Sequence, residues 1–502
     1  FEGLALFIII NMMKKRFIYI LFFIGLVAYC NATVVPAVLR LDSLIVNRLI
    51  PSQGKLTNGI KQLYPEEPYK TFWIENWNRS DQMISWAINS DAADYLATVI
   101  VCVNGLEEGE KVNLVLSNDK DSIFCQIKTT GWQRCQFSHP LHFDTGFSNL
   151  FLRIEELKKH EKHENLDVCL YALEVATFNT YERLQAKAKS LRSNTSWMAD
   201  LPYGFFFHWN SKSMPLAGEQ LTYEEAVNNF DVDRFAQVVH ECGGKLVFFT
   251  TTWAEYYFPA PIHTIDSILP GRTTKRDLIA DLSDALSKYD IRLILYYHIG
   301  HGDKEWWNKQ NYTRGNAENL FTNVEKIIEE ICLRYGSRLS GLWMDDGIGY
   351  YPNGASFEKI TEAAKKGNRD LVICFNSWIL PKLTDFQDYY AGELGLSLTS
   401  AGVDNPNLQI DGDGIFHGGP QDGLQATYSG TLEPGDWTHI YKNRAIDDPI
   451  LSLKELVKIV QESNRRKNLP MINVRIYQDG TISPQSYTLL KSLNNIISKA
   501  EK

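Results

Sequence analysis

The stretch GLWMDDG, Gly341 to Gly347, ends a short apolar run in two adjacent carboxylates, Asp345 and Asp346. Acids so placed can act as nucleophile, general acid or general base, or can simply solvate a turn. Similar polar and aromatic groups follow other apolar runs. They are His208, Trp209 and Asn210 after FFF, Trp253 and Glu255 after VFFTTT, Tyr296, Tyr297 and His298 after LIL, and Asn376 and Trp378 after VICF. Any one of these, like Trp343 beside the acids, reads equally well as a packing residue. Together they describe a pocket for a polyhydroxylated ring, where aromatic faces stack on apolar surface and side-chain groups hydrogen-bond hydroxyls.

Other chemistries find less support. His208, His298, His301 and Asp303 could approach one another, yet no HExxH and no two-histidine-one-carboxylate spacing occurs. DGDG, Asp411 to Gly414, lacks the twelve-residue calcium loop and its closing glutamate. No GxSxG marks a nucleophilic serine and no GxGxxG opens a helix. We therefore expect no metal and no cofactor.

The elements that must position these residues alternate after Leu201. Strands are expected at YGFFFHW, KLVFFTT, IRLILYYH, GLWMD, LVICFN and PMINV. Between them lie the amphipathic stretches VDRFAQVVHECG, RDLIADLSDALSKY, AENLFTNVEKIIEEICLRYG and SLKELVKIVQESNRRK. Near-continuous apolar strands separated by helices are what a parallel sheet covered on both faces requires. Some 300 residues of this pattern predict an α/β fold, a (β/α)8 TIM-like barrel over 200–502. In such a barrel the site is built at the C-terminal ends of the strands, where GLWMDDG places Asp345.

From Pro36 to about Thr180 the pattern is different. YLATVIVCVNG, KVNLVLSN and DSIFCQIKTTGWQRCQF are rich in β-branched residues and punctuated by Asn, Gly and Asp. They predict an antiparallel β-sandwich over 34–180, with either a carbohydrate-binding or a purely structural role, joined to the barrel by a helical linker over 181–199. Cys125 and Cys135 flank a plausible hairpin and could bridge in an oxidising compartment, or stay as buried free thiols.

At the N-terminus, Lys14, Lys15 and Arg16 precede an apolar core from Phe17 to Ala28, with small residues near Ala32. A membrane anchor needs about 20 apolar residues, so the expectation is a signal peptide over 1–32 with an upstream extension before Met12 or Met13. A secreted or periplasmic protein follows, without stable membrane insertion after cleavage; lipid anchoring at Cys30 is the less favoured route. The net charge of -9 opposes binding to phosphate backbones, so no nucleic-acid partner is expected. Aromatic residues at 12% suit a protein that covers sugar rings or packs flat side chains in its core.

The ordered set of segments resembles a known family. YGFFFHW resembles the GlFiHWG opening strand of the α-L-fucosidases, glycoside hydrolase family 29. TTKRDLIADLSDALSKYDIRLILYYH resembles the family's KRDLv…lkfGLYYS segment, GLWMDDG its lWfDG strand, and LPMINVRIYQDGTISPQ its LLNvgP…DGtIp tail. The matches run in order from about Tyr203 to Leu490.

The resemblance implies a retaining exo-glycosidase acting on a terminal sugar of a glycan or glycoside, with Asp345 as nucleophile and Asp346 as the alternative if the register is off by one. TDFQDYYAGE resembles the stretch after the fifth strand that carries the acid/base, which points to Glu393, with Glu433 next. His208, Trp209, Trp253, Glu255, Tyr297, His298, Trp343, Asp346 and Asn376 are the expected substrate-binding residues. Two departures bear on specificity. TTWAEYY stands where the family has kHHDGF, so Trp253 and Ala254 occupy the positions of two fucose-contacting histidines and Glu255 that of an aspartate. The sandwich also precedes the barrel, where the family often places one behind it. The expected substrate is thus fucose or a related sugar; a barrel that binds glycans without cleaving them is the alternative.

Overall fold

The computed structural model describes residues 38–57, 59–63, 73–155, 166–300, 302–312, 316–346, 349–403 and 412–500. The expected signal peptide, Cys30, His301, Gly347 and Asp411 fall outside them. No helix among the described residues is long and apolar enough to cross a membrane.

The first part of the chain forms two facing sheets. One runs in the order Leu39–Leu41, Met83–Ser90, Gly146–Ile154, Val112–Ser117, Ser122–Ile127, and the other Gly131–Gln136, Ala93–Asn104, Asp167–Thr177, Asn47–Leu49. Pairing is antiparallel except between Leu39–Leu41 and Met83–Ser90. Alternation sets the faces: in Met83–Ser90 the side chains of Ile84, Trp86 and Ile88 are buried, while Ser85, Ala87 and Asn89 are only half-buried. The seven described cysteines are free, Cys125 and Cys135 included. Both belong to the sandwich core, where burial raises their thiol pKa values.

Helix Phe178–Leu191, capped by the Thr177 hydroxyl, leads into the second part. Seven parallel strands follow: β1 Gly204–Phe207, β2 Leu246–Thr251, β3 Arg292–Tyr297, β4 Gly341–Met344, β5 Val372–Phe375, β6 Thr427–Thr431 and β7 Leu469–Asn473, in the spatial order β5-β4-β3-β2-β1-β7-β6. Segment Asp388–Glu393 lies between the two edges. Its Asp388 N–H donates to Ile373 C=O at 2.7 Å, and bridges Tyr389–Gln425 and Glu393–Ser429 tie it to β6 and the residues just before it. That segment occupies the sixth of eight positions, so the parallel sheet curls into a barrel with one irregular stave.

The helices pack outside as their patterns require. Val232–Glu241, capped by Asp231, buries Phe235, Ala236 and Val239; Leu453–Arg466 opens with a Ser452–Glu455 capping box and buries Leu456, Ile459 and Val460. Phe205, Phe207, Val247, Phe249, Leu293 and Leu295 face these helices, whereas Phe206, Phe248, Ile294, Tyr296, Trp343 and Cys374 fill the barrel interior. Within the sandwich, the buried Glu174 carboxylate pairs with both Arg48 and Arg134. Those arginines also donate to the carbonyls of Leu383 (2.6 Å) and Lys382 (3.2 Å) in the loop after β5.

Candidate active site

Continuing the alternation one step past each strand identifies what enters the barrel mouth. His208 extends β1, Tyr296 and His298 belong to β3 and its end, Asp345 follows β4, and Asn376 follows β5. The register is held beyond the strands: Asp345 N–H donates to Tyr297 C=O (2.9 Å) and Asn376 N–H to Met344 C=O (2.8 Å).

Asp345 is held from two sides. Asn376 Nδ2 donates to its Oδ1 at 2.7 Å, and the Tyr296 hydroxyl donates to its Oδ2. The same Nδ2 also donates to Glu393 Oε1, from the irregular sixth stave. Two hydrogen bonds of ordinary length meeting at one nitrogen hold their acceptors within about 6 Å. Retaining glycosidases place their carboxyl groups roughly 5–5.5 Å apart, and inverting ones farther. Burial, with the negative charge of Asp345 adding to it, pushes the Glu393 carboxyl up to about 8. Both causes favour the protonated carboxyl, the form that can give a proton away.

Both histidines have defined tautomers. His208 Nδ1 lies 2.7 Å from Asn473 Oδ1, whose own Nδ2 donates to Trp437 C=O, so the imidazole proton sits on Nδ1 and Nε2 is an acceptor. Burial lowers the His208 pKa to about 3, keeping that ring neutral. His298 Nδ1 accepts from Gly300 N–H (3.0 Å), which leaves the proton on Nε2, 2.8 Å from Asp346 Oδ2 and 3.8 Å from Asp345 Oδ2.

Aromatic walls surround this cluster. Trp253 and Trp437 are half-buried, with ring centroids 5.7 Å and 5.2 Å from that of His208. The backbone beside the site is strained: Thr252, Ala254, Asp346 and Trp378 all have φ between 52° and 68°. Left-handed backbone costs a non-glycine residue about 1–3 kcal/mol and concentrates at functional sites. Here reciprocal bonds between Thr252 Oγ1 and the backbone of His298 (2.8 and 3.0 Å) hold one of these turns.

The sequence model of the α-L-fucosidases matches residues 219–501, more than half of the chain. The chain belongs to this family. It is accordingly a glycoside hydrolase, and the carboxylate pair at its barrel mouth is the chemistry a glycoside hydrolase needs. A search among curated proteins finds no significant match. Among solved structures, similar folds include an α-L-fucosidase of glycoside hydrolase family 29 from Bacteroides thetaiotaomicron, at 14% identity, covering 61% of this chain and 74% of that one with a TM-score of 0.43. Isoenzyme 1 from Paenibacillus thiaminolyticus is 16% identical over 62% of this chain and 76% of its own, TM-score 0.46. A fucosyltransferase variant of the α-L-fucosidase AlfC is 16% identical over 61% and 98%, TM-score 0.43.

Not every residue expected at the fucosidase-like site is there. Trp209 points out of the barrel: it is 1% exposed, packs on Phe249 and Phe230, and donates to Gln478 C=O at 3.0 Å. Tyr297 also faces outward, its hydroxyl bonded to that of Tyr256. The correction in both cases is one residue along the strand, which changes the face. Tyr296, Trp437 and Asn473 are the neighbours that contact the inward-facing Asp345 and His208. Trp343 lies one layer below the acids, stacked on Tyr296 at 5.1 Å, and supports the floor rather than lining the opening. Glu255 sits on the rim, paired with Lys212 and Ser211. Glu433, the other acid considered, is fully buried, accepting from Ser486 and from Arg475 N–H (3.0 Å).

One group among the described residues could hold a metal ion: His298, Asp345 and Asp346 offer ligand atoms within 4.8 Å of one another. A metal there would occupy the Asp345 oxygens that a nucleophile needs free.

Proposed function

We propose that the protein is a retaining exo-glycosidase that removes a terminal fucose, or a sugar of related stereochemistry, from glycans by double displacement. The observation that carries this reading is the sharing of the Asn376 amide by Asp345 and Glu393. An Asp345 oxygen attacks the anomeric carbon; its electron pair forms the ester bond while the C–O bond to the leaving group breaks, and Glu393 delivers its proton to that oxygen. Esterification consumes the Asp345 charge, one of the three causes, with burial and the Asp346 charge, that raise the Glu393 pKa. Its pKa then falls, and the ionised Glu393 can take a proton from water, which attacks the same carbon and frees Asp345.

Substrate recognition follows from the remaining groups. Neutral His208 offers Nε2 as an acceptor for a sugar hydroxyl, and Trp253 and Trp437 offer apolar faces suited to the methyl group of a 6-deoxy sugar. His298 Nε2 stands 2.8 Å from Asp346 Oδ2, beside the nucleophile. Export is part of the proposal, resting on the basic and apolar N-terminal segment from Lys14 to Ala28.

The test is aryl alcohol release from an aryl α-L-fucoside beside a panel of other aryl glycosides and natural fucosylated glycans, with Asp345→Asn as control. Turnover of the fucoside that the substitution abolishes supports the reading. Silence across the panel, with glycans still bound, would replace it by a binding-only barrel.

A further inference from the structure

The loop after β5 carries Asn376 and is gripped by the sandwich. Trp73, which precedes the short strand Ile74–Glu75 of the N-terminal domain, stacks on Trp378 with ring centroids 6.2 Å apart and planes 26° apart, and is itself braced edge-on by Trp132 of the sandwich at 5.2 Å. Farther along the loop, Arg48 and Arg134 hold the carbonyls of Leu383 and Lys382. Trp378 has φ 55°, a conformation a bulky side chain avoids unless something holds it. Its carbonyl accepts from the Tyr390 hydroxyl at 3.0 Å, and Tyr390 belongs to the same stave as Glu393.

The consequence lies in the amide. Trp378 N–H donates to Asn376 Oδ1 at 2.9 Å. With Oδ1 so engaged, the flipped amide is excluded and Nδ2 must face Asp345 and Glu393.

We propose that Trp73 is a positioning residue for catalysis: the N-terminal domain, by stacking Trp73 on Trp378, fixes the Asn376 amide that the nucleophile and the acid/base share. The inference rests on the assignment of Asp345 and Glu393 made above. The sandwich is then a working part of the site and not only an appendage. The groups facing Glu393 are Asp345 and Asp346 from the end of β4, Tyr296 from β3, Asn376 from the end of β5 and Tyr390 from its own stave. Of these, Asn376 is the neutral donor that favours the ionised carboxylate.

The experiment compares the full chain with Trp73→Ala and Trp73→Phe, reading the pH profile of kcat/KM on the aryl glycoside. Loosening the amide misplaces both carboxylates, so Trp73→Ala should lose roughly 10- to 100-fold in kcat. Loss of the donor should also move the alkaline limb to higher pH, and Trp73→Phe, which keeps a stacking ring, should restore both. Leu114→Ala, in the sandwich core, controls for destabilisation and should lower Tm without moving the limb. An alkaline limb abolished by Glu393→Gln but unmoved in Trp73→Ala would overturn this inference alone. A limb that persists in Glu393→Gln would overturn the assignment of the acid/base itself.

Discussion

Asp345 and Glu393 come from different staves of the barrel, 48 positions apart in the chain, yet accept hydrogen bonds from one nitrogen, Asn376 Nδ2. Asp345 has a second donor in the Tyr296 hydroxyl. Glu393 is the more deeply desolvated of the two, and burial raises its pKa.

Asp345→Asn should fold normally and lose roughly 10⁴-fold or more in turnover, since it removes the carboxylate that shares the Asn376 amide with Glu393. Asp346→Asn should keep measurable activity, because it is Asp345 that shares the Asn376 amide with Glu393. Steady-state rates with thermal unfolding as the folding control check both; the reverse ranking would make Asp346 the nucleophile.

Glu393→Gln should cost about 10²- to 10⁴-fold with a poor leaving group and much less with an activated aryl one. In the wild type, activity that needs protonated Glu393 should fall as pH rises through about 8. Stability has the matching sign. The folded pKa is raised above the unfolded value of 4.5, so the contribution of Glu393 is fully present below pH 4.5 and is lost as pH rises towards 8. Glu393→Gln should therefore raise Tm at pH 8–9 by roughly 2–4 °C and leave it nearly unchanged at pH 4.

Neighbouring tyrosines on β3 should behave oppositely. Tyr296→Phe removes a donor to the nucleophile and should lower kcat by about tenfold at unchanged fold stability. Tyr297→Phe breaks the buried bond to Tyr256 and should cost about 1 kcal/mol of stability without altering kcat or KM. Equal kinetic effects would mean that the faces of β3 are misassigned.

Trp253→Ala should raise KM for the aryl glycoside by about tenfold, the loss expected when a stacking face is removed, with kcat falling less. An unchanged KM would show that Trp253 does not touch the bound sugar.

A zinc salt should inhibit by binding His298, Asp345 and Asp346, and His298→Asn should relieve that inhibition. Inhibition curves for the two proteins decide it; identical curves would place the zinc elsewhere.

Six of the barrel strands were legible as apolar runs because a parallel strand buried on both faces must be apolar throughout. The remaining two positions were not. TYSGT in β6 and DYYAGE in the sixth stave contain polar and glycine residues, and only their hydrogen bonds to neighbours mark them as part of the sheet. Glu393 was reached through family resemblance for the same reason, since no local pattern set it apart from Glu433.

The sequence alone determined the order of elements and the strand ends that carry polar groups, Asp345 among them, because periodicity and chain position are local properties. The tertiary structure decided which of two adjacent side chains enters the barrel, Tyr296 and not Tyr297, His208 and not Trp209. It also decided that Trp73 reaches across to Trp378. A strand's two faces differ only in what packs against them, and contacts between segments hundreds of residues apart exist only once the chain has closed on itself.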